Sequence, residues 1–234
     1  MGELLVGHAT DTGKKRDRNE DAYRVFHGEK RVRDARRGAI FAVADGMGGH
    51  KAGAQASRMT VDQLWLYFQY PPERFHGERT LLDLVRSANN AVWTAAQEKG
   101  SHHRMGCTLS VLHVDEAQRQ ATVVHVGDSR IYCHRRGQGL RQVTVDHVEP
   151  ENVNQLANHI GHRQDIYVET STWLLNRGDR WLLCTDGLTK GVTKAELAQV
   201  LDAVVDPQAA CQRLIELANR TGEDNVTVVI VDVA

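Results

Sequence analysis

Acidic residues follow several apolar segments of this 234-residue sequence. Three such segments end in an aspartate beside a glycine: "AIFAVADG" at Asp45, "TVVHVGDS" at Asp128 and "WLLCTDG" at Asp186. Acids also adjoin predicted strands at Glu223-Asp224 and in "NED", Asn19–Asp21. Acids at strand ends are ordinary turn residues. If these strand ends converge, however, the carboxylates repel unless a cation lies among them. Oxygen ligands without His or Cys spacing select Mg²⁺ or Mn²⁺, which predicts a divalent-metal centre.

Glycines follow the first of these aspartates in "FAVADGMGGH", Phe41–His50. Gly46 permits a tight bend, so that the Asp45 carboxylate and the next carbonyl group could reach one cation, while Gly48 and Gly49 keep side chains clear. The alternative is a plain loop before a helix that begins near Ala52. This motif alone leaves both interpretations open.

Short segments rich in Val and Ile predict the strands that must position these acids. They are Leu4–Thr10, Ala22–Phe26, Gly38–Ala44, Thr108–Val114, Ala121–Val126, Ile131–His134, Glu169–Leu174, Arg180–Thr185 and Asn225–Val233. Hairpin-sized links between several of them predict antiparallel pairing. Runs of strands interleaved with helix pairs indicate an α+β fold with helices covering the sheet faces, and they favour it over a parallel α/β sheet, which needs strict alternation.

Helical periodicity and capping signals predict four helices. They include Val61–Phe68, follow a Thr80 cap through Val92, follow the capping box "TKAE" (Thr193–Glu196) toward Val204, and follow Asp206-Pro207 through Ala218. The first two lie between early and middle strands, and the other two come late in the chain.

Composition is that of an ordinary globular protein, with 41% hydrophobic and 25% charged residues. A formal net charge of −1 and 6% aromatic residues argue against a nucleic-acid binder. The four cysteines form no C-x-x-C pair, which predicts reduced, buried thiols. The N-terminus does not resemble a signal peptide, and no apolar run reaches the length of a membrane span. We therefore expect one soluble, cytoplasmic domain over residues 1–234.

Seven motifs occur in the order typical of the metal-dependent Ser/Thr protein phosphatases of the PPM family, also called PP2C, in its bacterial form. They are "RDRNED" (Arg16–Asp21), "VADGMGGH" (Val43–His50), "GCT" (Gly106–Thr108), "VGDSRIY" (Val126–Tyr132), "TVDH" (Thr144–His147), "CTDGL" (Cys184–Leu188) and "EDNVTVV" (Glu223–Val229). The chain resembles this family over nearly its whole length. The resemblance implies two stacked antiparallel sheets flanked by helix pairs, in agreement with the α+β prediction.

The resemblance also implies a cofactor of two Mn²⁺ or Mg²⁺ ions. Asp45 would bridge them, with the Gly46 carbonyl group on one ion, and Asp186 and Asp224 would complete the other. Two such ions lower the pKa of a bridging water, and the resulting hydroxide would attack the phosphorus of phosphoserine or phosphothreonine. The implied substrate is a phosphorylated protein, in a context that opposes a bacterial Ser/Thr kinase.

Four further residues receive roles from the same resemblance. Asp21, with Glu20 beside it, would hold the second ion through water. Asp128 would form a third, weaker metal site together with Asp186. Arg16 would clamp the substrate phosphate, because a planar guanidinium grips phosphate at two points.

The sequence departs from the family pattern at two places. Animal members carry a histidine directly after the Asp-Gly pair, proposed as the general acid, where this chain has Met47. His50 could serve instead, or it could cap the next helix, and a metal-bound water could supply the proton. The segment 148–165 is a shortened flap, which would leave the cleft more open. Compact stand-alone relatives include phosphatases associated with type VI secretion, and we expect a monomer.

Other phosphatase chemistries are not supported by the sequence. No cysteine is followed by the arginine of a C-x₅-R motif, no D-x-D ends a strand, and neither a "GNH" nor a P-loop motif occurs. A pseudophosphatase that binds phosphoproteins without hydrolysis is the competing hypothesis. The presence of Asp45, Asp186 and Asp224 favours the enzyme.

Overall fold

The computed structural model describes residues 3–27, 37–48, 51–70, 77–98 and 105–234. The strands are β1 Leu4–Asp11, β2 Ala22–Phe26, β3 Ala39–Ala44, β4 Gly46–Met47, β5 Gly106–Cys107, β6 Leu109–Asp115, β7 Gln120–Val126, β8 Arg130–Arg135, β9 Gly139–Gln142, β10 Val148–Glu149, β11 Asn152–Leu156, β12 Glu169–Leu174, β13 Arg180–Cys184 and β14 Val226–Val233. The helices are α1 Lys51–Gln63, α2 Glu78–Glu98, α3 Asp186–Gly191, α4 Lys194–Ala203 and α5 Pro207–Ala218, with a 3-10 helix at Leu64–Gln69.

Two five-stranded sheets organise the chain. The first has the order β1-β14-β13-β8-β9 and the second the order β12-β7-β6-β3-β2, and neighbouring strands in both are antiparallel. Two small ladders, β4–β5 and β10–β11, lie outside them. The predicted α+β fold with antiparallel sheets is therefore confirmed.

The sheets stack face to face, and helices cover both outer faces. In β3, "AIFAVA", every residue is buried. Side chains on a strand point alternately to its two faces, so Phe41 and Val43 pack between the sheets while Ile40 and Ala42 pack under the helices. This arrangement explains why β3 is a continuous apolar run rather than an alternating one.

Each outer face has its own core. Val61 of α1 and Leu81 of α2 pack on the second sheet, and Leu197 of α4 and Leu214 of α5 pack on the first. Burying each such side chain stabilises the fold by about 1.5–3 kcal/mol. The four cysteines are free and buried, as predicted. None of the helices in the described residues is long and apolar enough to cross a membrane.

The predicted helix boundaries need three corrections. The helix predicted to follow a Thr80 cap begins at Glu78, because the Gly77 carbonyl group accepts the first helical hydrogen bond, from Leu81 N, at 3.1 Å. The pattern at Val61–Phe68 spans the end of α1 and the 3-10 helix. The short helix α3 was missed, since its apolar pattern covers fewer than two turns. The capping box before α4 and the Asp206 cap of α5 are confirmed.

Candidate metal centre and active site

Strand register brings the predicted acids to the ends of the two sheets. Ala22 of β2 lies opposite Ala44 of β3, so Asp21 and Asp45 are the next residues at the same sheet edge. Cys184 of β13 lies opposite Val228 of β14, so Asp186 and Asp224 flank one end of that pair. Antiparallel pairing thus gathers acids that are far apart in sequence.

Asp45 lies at the centre of a carboxylate cluster. Its pKa is raised well above the usual range, first by burial and then by the charges of Asp21, Asp186, Asp128 and Asp224. An effect of four other acids on one side chain requires that all five lie within a short distance, because charge interactions weaken with separation. The convergence that the strand ends suggested is thus present.

Asp21 is held by two hydroxyl groups and keeps one oxygen unsatisfied. Its Oδ2 accepts hydrogen bonds from Thr185 Oγ1 at 2.8 Å and Thr227 Oγ1 at 2.7 Å, whereas its buried Oδ1 has no partner among the described residues. Burial raises the pKa of Asp21 to about 7 despite these hydrogen bonds. An unpartnered buried carboxylate oxygen costs free energy, so Oδ1 is suited to a cation.

The side chains of Arg16 and Lys190 form ion pairs with the other two acids, Asp186 and Asp224. Arg16 donates from Nε to Asp224 Oδ1 at 2.8 Å and from Nη2 to Oδ2 at 3.0 Å. Lys190 Nζ lies 2.9 Å from Asp224 Oδ2 and 2.6 Å from Asp186 Oδ2. Burial would raise the pKa of Asp224, but the hydrogen bonds from Arg16 and Lys190 outweigh it and lower that pKa. Within the part of the chain that the structure describes, the buried Asp186 Oδ1 has no hydrogen-bond partner.

Thr108 links the Asp45 turn to the loop that carries Asp128. The backbone N–H of Asp45 donates to Thr108 Oγ1 at 2.8 Å, and Thr108 N donates to the Asp45 carbonyl oxygen at 2.9 Å. The same hydroxyl group lies 2.6 Å from Ser129 Oγ, next to Asp128. Burial, followed by the charge of Asp186, raises the pKa of Asp128 to about 6.

The "TVDH" motif supports the Asp128 loop from its other side. Asp146 accepts from Arg130 Nε at 3.0 Å and from Arg130 Nη2 at 2.6 Å. His147 Nδ1 accepts from Gly127 N at 3.2 Å. These contacts give a positional role to a motif whose sequence alone indicated only the family.

A cluster of His125, His147 and Glu169 has potential ligand atoms within 4.8 Å of one another. The hydrogen bonds argue against a second metal site there. Because His147 Nδ1 accepts from Gly127 N, Nε2 carries the proton of the neutral ring, 3.5 Å from Glu169 Oε2. His125 Nε2 lies 3.1 Å from the Val145 carbonyl oxygen, which can only accept. Neither Nε2 atom is then left with a free lone pair for a metal.

Gly46 lies in close contact with the "NED" segment and with helix α1. A Cβ atom at position 46 would lie 2.4 Å from both the Glu20 and the Gly53 carbonyl oxygens. A Cβ atom on Gly53 would in turn lie 2.5 Å from Glu20 Oε2. The close approach of three backbone segments therefore explains glycine at position 46.

Asn225, which the sequence analysis quoted without a role, holds the N-terminal loop at the site. Its Nδ2 donates to the carbonyl oxygens of Thr12 at 2.9 Å and Arg18 at 2.8 Å, and its Oδ1 accepts from Glu20 N at 2.9 Å. These bonds place Arg16 and Glu20 beside Asp224. Only the motif order could have pointed to Asn225, since an asparagine before a strand is otherwise a common turn residue.

The predicted residues share one open cleft of about 1150 Å³. Its lining includes Arg16, Glu20, Asp45, Gly46, Asp128, Asp186 and Asp224, and Asp21 lies buried behind them. His50 lies outside the described residues. The donor set fits a hard divalent cation, because it consists of carboxylate and carbonyl oxygens and includes two unpartnered buried oxygens. Lys190, which the sequence analysis missed, also lines the cleft.

Known proteins match this chain over nearly its whole length. Residues 12–225 match the protein phosphatase 2C family model. Protein phosphatase PhpP of Streptococcus pneumoniae is 31% identical over an alignment of 249 positions, which covers 97% of each chain. The structure of PppA, described as a key regulatory component of T6SS in Pseudomonas aeruginosa, has a TM-score of 0.81 at 28% identity and covers 99% of this chain and 98% of PppA.

A metal-bound structure is among the similar ones. The catalytic domain of serine/threonine protein phosphatase PstP, in complex with two manganese ions, has a TM-score of 0.81 at 30% identity and covers 98% of this chain and 97% of that domain. These comparisons confirm the resemblance that the seven motifs predicted. The chain therefore belongs to the protein phosphatase 2C family of serine/threonine protein phosphatases, which are hydrolases.

Proposed function

We propose that the chain hydrolyses phosphoserine and phosphothreonine in proteins, with two divalent metal ions held in the carboxylate cleft. The observation that carries the proposal is the cluster around Asp45, where burial and four neighbouring acids raise the pKa of its carboxyl group. Without a cation, the repulsion between these carboxylates costs free energy. The relatives of this chain in the family are serine/threonine phosphatases.

The family resemblance implies which acids would hold the two ions. Asp45 would bridge the two ions, with the Gly46 carbonyl group on one of them. Asp186 and Asp224 would complete the other site. Asp21, whose unpartnered Oδ1 supports this role, would hold the second ion through water.

Two further acids have supporting roles in the same proposal. Glu20 lies beside Gly46 and would assist Asp21 at the second ion. Asp128 would form a third, weaker site with Asp186, whose charge contributes to its raised pKa. Mn²⁺ or Mg²⁺ would fill these sites, and the PstP complex supports Mn²⁺.

The bound ions would supply an activated water and offset negative charge on the phosphate. Arg16 would orient the phosphate through its guanidinium group, which lies at the cleft with 56% of its side chain exposed. The role of His50 as the proton donor to the leaving alcohol stays a prediction. If His50→Ala changes neither kcat nor its pH profile, that role is wrong.

The biological setting is part of the proposal. We infer a monomer that acts in the cytoplasm as a single phosphatase domain over residues 1–234. It would oppose a Ser/Thr kinase, with that kinase or its target as the substrate. Similarity to PppA supports a setting in type VI secretion. In the shortened flap around residues 148–165, Val153 is 69% exposed, which fits an open cleft that admits a protein substrate.

Peptide assays test the proposal. The purified protein is given phosphothreonine, phosphoserine and phosphotyrosine peptides with Mn²⁺, with Mg²⁺ and with chelator. We expect metal-dependent release of phosphate from the first two peptides only. Asp45→Asn should abolish it, whereas Asp17→Asn, which changes another carboxylate of the same cleft, should retain it.

Two results would contradict the proposal. Equal activity with metal, with chelator and in Asp45→Asn would exclude the metal-dependent reaction. Binding of the phosphopeptide without hydrolysis in the presence of Mn²⁺ would instead identify a pseudophosphatase.

A further inference from the structure

Lys190 lies between two carboxylates that the proposed function assigns to a metal ion. Its Nζ is 2.6 Å from Asp186 Oδ2 and 2.9 Å from Asp224 Oδ2. Lys190 and Asp186 are four residues apart on α3, so the helix directs the ammonium group to that carboxylate. The Lys190 side chain is 43% exposed, which leaves it a path into solvent.

Both oxygens of Asp224 are already occupied. Oδ1 accepts from Arg16 Nε and, at 3.0 Å, from the backbone N–H of Asn225. Oδ2 accepts from Arg16 Nη2 and from Lys190 Nζ. A cation that binds Asp224 must therefore displace at least one of these donors. Lysine is suited to leave, because its ammonium group sits on a flexible four-carbon stem and makes no fork-shaped contact.

We propose that Lys190 competes with the divalent ion for Asp186 and Asp224, and thereby both weakens metal binding and stabilises the cleft when no metal is bound. The inference rests on the proposed function, because it takes these two acids as metal ligands. An ammonium group and a divalent ion repel each other at the same carboxylates. When Lys190 moves away, its two ion pairs are lost. Their free energy therefore reduces the net free energy gained on metal binding.

The charge of the cluster explains the second half of the proposal. Asp186 and Asp224 lie close enough to share one ammonium group, 2.6 Å and 2.9 Å from Lys190 Nζ, so their like charges repel each other in the metal-free cleft. Lys190 offsets part of that charge as a tethered counter-ion. Metal binding would transfer this task to the ion and free the lysine side chain.

Calorimetric titration with Mn²⁺ and thermal unfolding in chelator test the proposal together. Lys190→Met keeps most of the stem and removes the charge. We expect its Kd for Mn²⁺ to fall about three- to tenfold, in line with two partly exposed ion pairs. Its Tm in chelator should fall, and its gain in Tm on adding Mn²⁺ should exceed that of the wild type. Lys190→Arg keeps the charge and should bind Mn²⁺ no more tightly than the wild type, because a guanidinium group can hold a carboxylate at two points.

Lys15→Met is the matched control. Lys15 lines the same cleft but pairs with Glu223 at 2.7 Å. The Lys15→Met variant therefore removes one charge from the cleft without freeing a proposed metal ligand. We expect its Kd for Mn²⁺ to change less than twofold, the limit expected of a screened surface charge. If Lys190→Met does not fold in chelator, Lys190→Gln repeats the comparison with a polar end.

Each remaining outcome separates this inference from the proposed function. Unchanged or weaker Mn²⁺ binding by Lys190→Met overturns the proposal that Lys190 competes with the ion. An equal effect of Lys15→Met also overturns it, because it would show that any positive charge in the cleft weakens Mn²⁺ binding. A wild-type protein that binds no Mn²⁺ refutes the proposed function itself. A wild type that binds Mn²⁺, together with Lys190→Met and Lys190→Gln variants that bind it no more tightly, refutes only this inference.

Discussion

Arg16 grips Asp224 through two parallel hydrogen bonds, from Nε to Oδ1 at 2.8 Å and from Nη2 to Oδ2 at 3.0 Å. The guanidinium group that would hold the substrate phosphate therefore rests on a proposed metal ligand. Carboxylate and phosphate present similar pairs of oxygens to an arginine. Asp224 thus keeps Arg16 oriented at the cleft until another anion competes for it.

Arg16→Ala should lower kcat/KM by about a hundredfold, the scale seen when one donor to a reacting group is removed. Arg16→Lys should recover only part of the loss, because an ammonium group cannot make two parallel bonds. Steady-state assays on a phosphothreonine peptide measure both variants, and a Mn²⁺ titration separates catalysis from metal affinity. Arg18→Ala, at the same cleft, is the control, and an equal loss there would contradict the specific role.

The metal-free protein should lose stability as pH rises from about 6.5 through about 7, the folded-state pKa of Asp21, and then through the raised pKa of Asp45. Asp21 has a folded-state pKa of about 7, and that of Asp45 is raised well above its usual range, whereas an unfolded aspartate titrates near ~3.9. A raised carboxyl pKa means that the folded state binds more protons, so stability present at low pH is lost as pH rises through the folded pKa. Histidines with lowered pKa, such as His125 at about 3, act below ~6.5 and therefore outside this window.

Thermal unfolding in chelator across this pH range measures the effect. Asp45→Asn should raise Tm at the upper end of this pH range and flatten the slope of Tm against pH, because it removes one of the repelling charges. Asp17→Asn serves as the control. Mn²⁺ should restore the wild-type Tm at high pH, and a stability that instead rises with pH in chelator would show that the acids are not coupled as the structure indicates.

The strands could be predicted from sequence because their apolar runs are long and bounded by turn residues. Glu169–Leu174 matches β12 in full, and Asn225–Val233 differs from β14 by one residue. The two-residue strands β4 and β5 could not be found this way. They exist because Gly46 pairs with Cys107 across the site, a contact between segments that are 61 positions apart.

The acids of the site were predictable as residue types, but their convergence was not. Pairing of Ala22 with Ala44 puts Asp21 beside Asp45, and this register is set by the packing of two buried sheet faces rather than by local sequence. Lys190 was missed because the local secondary structure was not predicted. Its position four residues after Asp186 was visible, but a helix had to be assigned there before the spacing had meaning.

Gly46→Ala should destabilise the protein by about 1–3 kcal/mol, because the added Cβ would overlap two backbone oxygens that cannot move independently. Gly53→Ala should also be destabilising, because its Cβ would lie 2.5 Å from Glu20 Oε2 and 2.8 Å from the backbone carbonyl carbon of Gly46. Gly137→Ala meets no atom within 4 Å and has only the strain of φ 81°. Urea unfolding measures all three, and equal losses at positions 46 and 137 would contradict the close contact.

Thr108→Val should weaken both the fold and metal binding, although Thr108 is not a proposed ligand. The change leaves the Asp45 N–H without its acceptor and removes the 2.6 Å contact with Ser129 Oγ. Losing a partner for a buried polar group costs about 1–3 kcal/mol. Since Asp45 and the Asp128 loop both depend on this hydroxyl group, Mn²⁺ affinity should fall along with stability.

Thr108→Ser separates the hydroxyl group from the methyl group of this residue. It keeps both hydrogen bonds, so it should retain near-wild-type Mn²⁺ affinity with a small loss of stability. Thr122→Val makes the same chemical change at a buried threonine of β7, away from the cleft, and should leave Mn²⁺ binding unchanged. If Thr108→Val binds Mn²⁺ as tightly as Thr122→Val does, Thr108 is only a packing residue. If Thr108→Ser loses as much affinity as Thr108→Val, the methyl group rather than the hydroxyl group positions Asp45.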